Sequence, residues 1–331
     1  MMARSAFVTG GTGFIGINLI ELLVDEGWEV TALHRESSTL TYLKRFPIAL
    51  AEGSITDRES LERAIAEGTD VVFHVAGDTS FWSKKNAQQD AINIDGTRNV
   101  VEVAASKGVR TFIHTSSDSA WGRVRSERVI TEETPQAGGS SWINYERSKY
   151  LGEQEALKGT ALGMKVVVLN PSEVAGPYDL NSWGRLFFLL RDRELPAIPP
   201  GDVCVTHVHD VVRAHLAAVD EGRSGEGYLL TGEHAALADF VAEIARVSGA
   251  KVPMTAPAWV LKVYGRLSVM VAALTGKEPE VTPELAAAAS TKGKIYRCDK
   301  AVRELGYQIT PMSVSVRDTY DWLVKEGLLT S

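Results

Sequence analysis

The chain has 331 residues, 44% hydrophobic and 23% charged, the balance of an ordinary folded protein long enough for a large core. Its formal net charge of −7 argues against broad nucleic-acid binding, and Cys204 and Cys298 offer neither a metal-ligand spacing nor a disulfide framework. No run reaches the roughly 18 uninterrupted apolar residues of a membrane span, and a first strand beginning almost at Met1 leaves no room for a signal peptide; the expectation is a cytoplasmic enzyme without a membrane span.

In chain order, residues 6–8 read as a strand that runs into Thr9-Gly10-Gly11-Thr12-Gly13-Phe14-Ile15-Gly16 and then a helix over 15–25. A side chain at Gly10 would obstruct the turn, one at Gly13 would hold the backbone away from a phosphate, and one at Gly16 would push the helix off its strand. The N–H groups of Thr12, Gly13, Phe14 and Ile15 belong to the helix start, which offers unpaired donors to an anion. Apolar strand-like runs follow at 30–33, 71–75, 111–115 and 165–169, alternating with helical patterns at 58–67, 92–107 and 143–157. This alternation predicts an α/β fold, a Rossmann-type doubly wound parallel sheet, with Gly13, Gly77, Ser117 and Pro171 just beyond strand ends along one edge. After Pro171 the pattern loosens. A helix over 210–221 and an apolar run over 227–230 return to the sheet, and a helix-loop-helix pattern occupies the rest. The expected division is a dinucleotide-binding domain of 1–171 plus about 203–232 and a smaller, mainly helical substrate domain of about 172–202 plus 233–331.

Residues 258–274 carry Trp259, Val260, Val263, Tyr264, Leu267, Met270, Val271 and Leu274 at helical spacing. The expectation is a core-facing helix, with a substrate lid or a membrane-surface helix as alternatives. His207 and His209 alternate on an expected strand, Asp210 is the expected N-cap of the next helix, and no metal site is expected. His114 reads as a buried strand residue, and Arg185, Arg191 and Arg193 as exposed charges.

The chemistry centres on Tyr145-Glu146-Arg147-Ser148-Lys149, where Tyr145 and Lys149 share a helix face one turn apart. A tyrosine titrating near 10 is a poor acid or base at neutral pH, and a neighbouring ammonium would pull it down. Upstream, His114-Thr115-Ser116-Ser117 closes a strand and brings a hydroxyl to the same edge.

These segments, with His74-Val75-Ala76-Gly77, Asn93-Ile94-Asp95-Gly96-Thr97, Asn170-Pro171-Ser172-Glu173-Val174 and Leu305-Gly306-Tyr307, resemble the extended short-chain dehydrogenase/reductases, an NAD(P)-dependent epimerase/dehydratase superfamily. Within it, the likeness is to the dihydroflavonol 4-reductase and 3β-hydroxysteroid dehydrogenase branch. The resemblance implies Tyr145 as acid/base, Lys149 on the nicotinamide ribose lowering the Tyr145 pKa, and Ser117 as the substrate-binding hydroxyl, with Ser116 in reserve. It implies that Val75, Ala76, Gly77 and Thr115 line the cofactor cleft and that Pro171 and Val174 pass beside the nicotinamide. Asn93 is implied to brace the sheet edge.

The second strand ends His34-Arg35-Glu36, where an NAD enzyme usually carries an acid. A guanidinium grips a 2′-phosphate, so Arg35 favours NADPH/NADP+ over NADH/NAD+, although Glu36 offers an acid one register later. Ser54 and Ile55 stand at the adenine position, with Ser54 replacing the family's usual acid and Asp57 available to compensate. The expected activity is NADPH-dependent reduction of a ketone or aldehyde, or the reverse oxidation, on a small apolar or aromatic molecule. Its pocket candidates are Thr79, Trp82, Ser117, Trp121, Glu173, Tyr178, Trp183 and Phe187. A nucleotide-sugar epimerase or dehydratase and a non-catalytic NADP(H)-binding redox sensor are the alternatives, and a homodimer through the 92–107 and 143–157 helices is possible.

Overall fold

A computed structural model describes residues 3–122, 129–279 and 281–330. Strand β1 (Ser5–Thr9) is buried from Ala6 onward, and α1 (Phe14–Asp25) returns across the glycine turn with Leu19, Ile20 and Leu23 against the sheet. Strands β2 (Glu29–His34) and β3 (Ala49–Glu52) lead to α2 (Arg58–Ala64), whose N–H groups at Glu59 and Ser60 donate to the capping carboxylate of Asp57. Next come β4 (Val71–His74), α3 (Asn86–Asp90), a widened helical turn over Ala91–Gly96 and α4 (Thr97–Ser106). Then follow β5 (Thr111–Thr115), β6 (Val129–Ile130), α5 (Asn144–Leu157), β7 (Lys165–Pro171) and β8 (Glu173–Ala175). The remainder is α6 (Arg185–Arg191), β9 (Asp202–His207), α7 (Val208–Asp220), β10 (Glu226–Leu230), β11 (Glu233–Ala236), α8 (Leu237–Ser248), α9 (Ala258–Thr275), α10 (Pro283–Ala288), β12 (Ile295–Tyr296), α11 (Asp299–Leu305) and α12 (Met312–Lys325).

Seven strands form one sheet in the order β10-β7-β5-β4-β1-β2-β3, every pair parallel. The chain winds outward from β1 to β2 and β3, then crosses back to β4 on the other side of β1. That reversal opens a crevice beyond the C-terminal ends of β1 and β4, the place where such sheets bind ligands. The expected doubly wound parallel sheet is what the structure shows. A second, three-stranded sheet, β11-β9-β8, lies against a separate apolar core built from Phe187, Phe240, Ile244, Val316 and Leu323.

Three expectations are corrected. His209 lies inside α7, not on a strand: β9 ends at His207, whose Nδ1 accepts from the His209 N–H at 3.0 Å and caps the helix. Asp210 is therefore not the cap; its carboxylate accepts instead from the Thr310 N–H. Finally, α9 does not face the core, because Trp259 is 68% exposed and Leu274 90% exposed.

Candidate active site

The glycine turn behaves as its sterics require. Gly10 sits at φ +73°, and a Cβ there would lie 2.6 Å from the Ala76 nitrogen. A Cβ on Gly16 would fall 2.2 Å from the Gly10 oxygen. Gly13 caps α1 without any side-chain bond and is exposed, so the first-turn N–H groups, including those of Phe14 and Ile15, lack a side-chain acceptor. An exposed, uncapped helix start behind a close-packed glycine turn suits a dinucleotide pyrophosphate.

The loop after β4 lies beside it. Thr9 Oγ1 accepts from the Ala76 N–H at 3.2 Å, while Asn93 clamps the next residue, accepting from Asp78 N–H at 2.7 Å and donating to Asp78 O at 2.9 Å. Asn93 also donates to Ser148 Oγ, tying this loop to α5. It thus braces a loop rather than a sheet edge.

From α5, Lys149 reaches under the loop and donates its Nζ proton to the Thr115 carbonyl at 2.8 Å. A Cβ on Gly77 would stand 3.8 Å from that Nζ, so the cation borders the glycine edge. Burial pushes the Lys149 ammonium down to about 8, opposed by the nearby Glu153 carboxyl. Beneath it, His74 bonds Thr9 Oγ1 and Thr97 Oγ1 and stacks on His114 at 5.3 Å. Burial holds His74 near 3 and His114 well below its usual range, so both rings are neutral.

One turn before Lys149, the Tyr145 hydroxyl lies near enough to Ser117 to feel it, and the Phe81 ring is 5.2 Å from the Tyr145 ring. The expected lowering of the Tyr145 pKa by Lys149 is not what the structure gives. Burial pushes the phenol up to about 12, and the fields of Asp118, Glu173 and Asp78 add to that rise while Ser117 opposes it. The Lys149 ammonium gives one of its three N–H donors to the Thr115 carbonyl. Tyr145 is thus a neutral proton donor at neutral pH.

Of the acidic flank, the sequence pointed to Glu173 but not to Asp118. Ser117 Oγ donates to Asp118 Oδ1 at 3.1 Å, and Glu173, on β8, accepts from the Cys204 N–H at 2.9 Å. Burial and mutual repulsion push both carboxyls upward, with Lys294 partly offsetting the rise. Behind them, Asn170 donates to Glu153 at 2.9 Å and to the Ser117 carbonyl at 3.2 Å, fixing the end of β7 against that of β5. Glu153 lies four residues beyond Lys149, so the stripe 145, 149, 153 was available as a signal.

The other expected residues divide. Arg35 is exposed at the end of β2 without an ion pair among the described residues, and Glu36 is exposed beside it. Ile55 is buried near the end of β3, and Val174 packs in the main core. Ser54 is engaged by Thr56 at 2.8 Å, and Asp57 caps α2 through its Oδ1. Thr79 is exposed and Trp82 half-buried beside Lys84, on the loop that carries Phe81. Trp121 and Phe187 are largely buried, and Trp121 borders a cavity of about 410 Å³ with Glu132, Tyr150 and Glu153. Each is 2% exposed: Trp121 donates to Thr134 O within a small cluster with Tyr296, and Phe187 stacks on Tyr320. Trp183 packs edge-on against Phe240. Tyr178, at φ +70°, is wedged between Tyr42 and Trp322, away from the Tyr145 cluster. Arg185, Arg191 and Arg193 are exposed as expected.

The doubly wound sheet, glycine turn and tyrosine–lysine helix define a dinucleotide-dependent enzyme of the extended short-chain dehydrogenase/reductase class. Residues 6–230 match the model of the NAD dependent epimerase/dehydratase family, and the chain belongs to that family, in its dihydroflavonol-reductase-like and 3β-hydroxysteroid-dehydrogenase-like branch. It is 32% identical to a putative dihydroflavonol 4-reductase of Synechocystis sp., over 98% of this chain and 96% of that protein. It is 28% identical to sterol demethylase protein B of Methylococcus capsulatus, over 98% of this chain and all of that protein (100%). The crystal structure of gox2253 superposes with a TM-score of 0.84 at 30% identity, covering 99% of this chain and 100% of that one. At family level the chain is an oxidoreductase that uses a nicotinamide dinucleotide.

Proposed function

We propose that the protein is an NADPH-dependent carbonyl reductase acting on a small, apolar ketone or aldehyde, and reversibly on the corresponding alcohol. The reading rests on one observation above all: a neutral Tyr145 phenol beside Ser117, one helical turn from a Lys149 ammonium that donates to the Thr115 carbonyl at the glycine edge. A nicotinamide bound there would supply hydride to the carbonyl carbon. Tyr145 donates its proton to the carbonyl oxygen as charge develops there, and Ser117 donates a second hydrogen bond to the same oxygen. Lys149 holds the ribose and offsets the negative charge left on Tyr145. Arg35 grips the 2′-phosphate, which selects NADPH over NADH. Burial raises the Asp118 and Glu173 carboxyls, Glu173 to about 8, which disfavours charge on the substrate side and suits an uncharged ligand. The reductase and sterol-protein names of the relatives agree with this substrate class.

The test is NADPH consumption against a panel of apolar ketones and aldehydes. Turnover with NADPH at least about tenfold more efficient than with NADH is expected, a difference of about 1.4 kcal/mol. Silence across the panel, together with strong thermal stabilisation by a uridine diphosphate sugar, would move the protein to epimerase or dehydratase chemistry.

A further inference from the structure

We propose that α9, with the segment leading into it, docks on an anionic lipid surface. The inner face of α9, formed by Leu261, Gly265 and Ala272, is buried. At Gly265 an added Cβ would lie 3.1 Å from the Thr282 backbone, so the helix rests closely on the start of α10. The opposite face carries Trp259, Val263, Leu267, Met270 and Leu274, with exposures of 68%, 48%, 54%, 65% and 90%. Their spacing of three and four residues aligns them in one stripe. Met254, 84% exposed, and Val252, 53% exposed, extend the apolar surface along the preceding segment.

Charge selects the occupant. Residues 251–277 contain Lys251, Lys262, Arg266 and Lys277 and no aspartate or glutamate, in a chain whose net charge is −7. Arg266 and Lys277 are exposed and make no ion pair among the described residues. An apolar stripe bearing a tryptophan, bordered by Tyr264 and by unpaired cations, matches the headgroup boundary of an acidic bilayer. The helix is long and apolar enough to cross a membrane, but its packing against α10 lays it along a surface instead. The segment after α9, on which its buried face rests, is tied to the loop that carries Phe81. Thr282 Oγ1 donates to Phe81 O at 2.8 Å, Lys85 pairs with Glu278 at 2.6 Å, and the Phe81 ring contacts Tyr145. A docked α9 therefore sits at the mouth of the site, where an apolar ligand leaving a bilayer would enter. The docking itself does not depend on the reaction proposed above.

The experiment is flotation of the full chain with phosphatidylcholine vesicles, with and without about one-third phosphatidylglycerol, at low and high salt. Binding at least about tenfold tighter to the acidic vesicles, and weakened by salt, is expected. The double variant Met270→Glu/Leu274→Glu should abolish it while melting within about 2 °C of the parent, since both positions are exposed. Arg266→Glu should weaken binding several-fold without altering the apolar stripe, which gives a second reading if the double variant misfolds. Absence of flotation, equal binding to neutral vesicles, or undiminished binding by these variants overturns the proposal. So does a concentration-dependent dimer that the double variant dissociates in sedimentation without any vesicle binding, because a second copy would then be the occupant.

Discussion

The two flanks of Tyr145 are built from opposite chemistry. Toward β1 and β4 stand glycines, the Lys149 ammonium and two imidazoles that burial keeps neutral. Toward β8 and β9 stand Ser117, Asp118, Glu173 and Cys204, with carboxyls displaced toward their protonated forms. The first flank offers close backbone approach and positive charge, which a dinucleotide needs. The second offers a hydroxyl and carboxyls that resist ionisation, which an uncharged carbonyl compound tolerates. Tyr145 belongs to both, and its phenol is raised because the acidic flank and burial act on it together. The difference teaches that the first flank works through close backbone approach and a cation that burial lowers to about 8, whereas the other works through carboxyls that burial raises.

The sharpest test of that division is the shared residue. Tyr145→Phe should lower kcat by about 10³-fold, the range of a lost general acid, while NADPH affinity changes less than about threefold. Isothermal titration beside steady-state kinetics reads both, and near-normal turnover would remove Tyr145 from its proposed role. On the cofactor flank, Lys149→Met should cost about 10²-fold in kcat/KM and also weaken dinucleotide binding, because the same ammonium serves both. A loss of kcat with unchanged cofactor affinity would break the assignment of Lys149 to that flank. Further out, Arg35→Ala should weaken NADPH about tenfold and leave NADH within about twofold, by fluorescence titration. Equal losses for both dinucleotides would show that Arg35 does not meet the 2′-phosphate.

The same division governs what could be read from the amino-acid sequence. The glycine turn was legible because its constraints are local: the contact between position 16 and the Gly10 oxygen lies within one turn of chain. Tyr145 and Lys149 were legible because helical period fixes their shared face. The pairing of Glu173 with Asp118 was not, because Asp118 follows β5 while Glu173 opens β8, and the two come near only when those strands are placed. Aromatic composition does not say how far a ring is buried, and Trp121 and Phe187 are each 2% exposed. For α9, periodicity found the apolar stripe but could not tell which face other residues cover. His207 was taken for a strand residue in alternation with His209, while the backbone turns into a helix between them.

Glu173 provides the finest test, because it separates the flanks by pH. Its carboxyl is raised in the folded chain by burial and by Asp118, so the native state holds a proton that the unfolded state releases near 4.5. A group raised in this way contributes its stability at and below that ordinary value, and the contribution is lost as pH climbs through the higher folded value. Glu173→Gln removes the titration while keeping the shape. The variant should therefore gain on the parent as pH rises from 5 to 9, melting about 2 °C or more higher at the alkaline end and nearly together at pH 5. Ionised Glu173 also adds its field to Tyr145, so the parent should lose kcat on that alkaline limb earlier than the variant does. Arg35→Ala, on the other flank, should shift neither profile. Parallel melting curves for parent and Glu173→Gln across this pH range would mean that the carboxyl titrates normally, and the contrast between the flanks would then rest on shape alone.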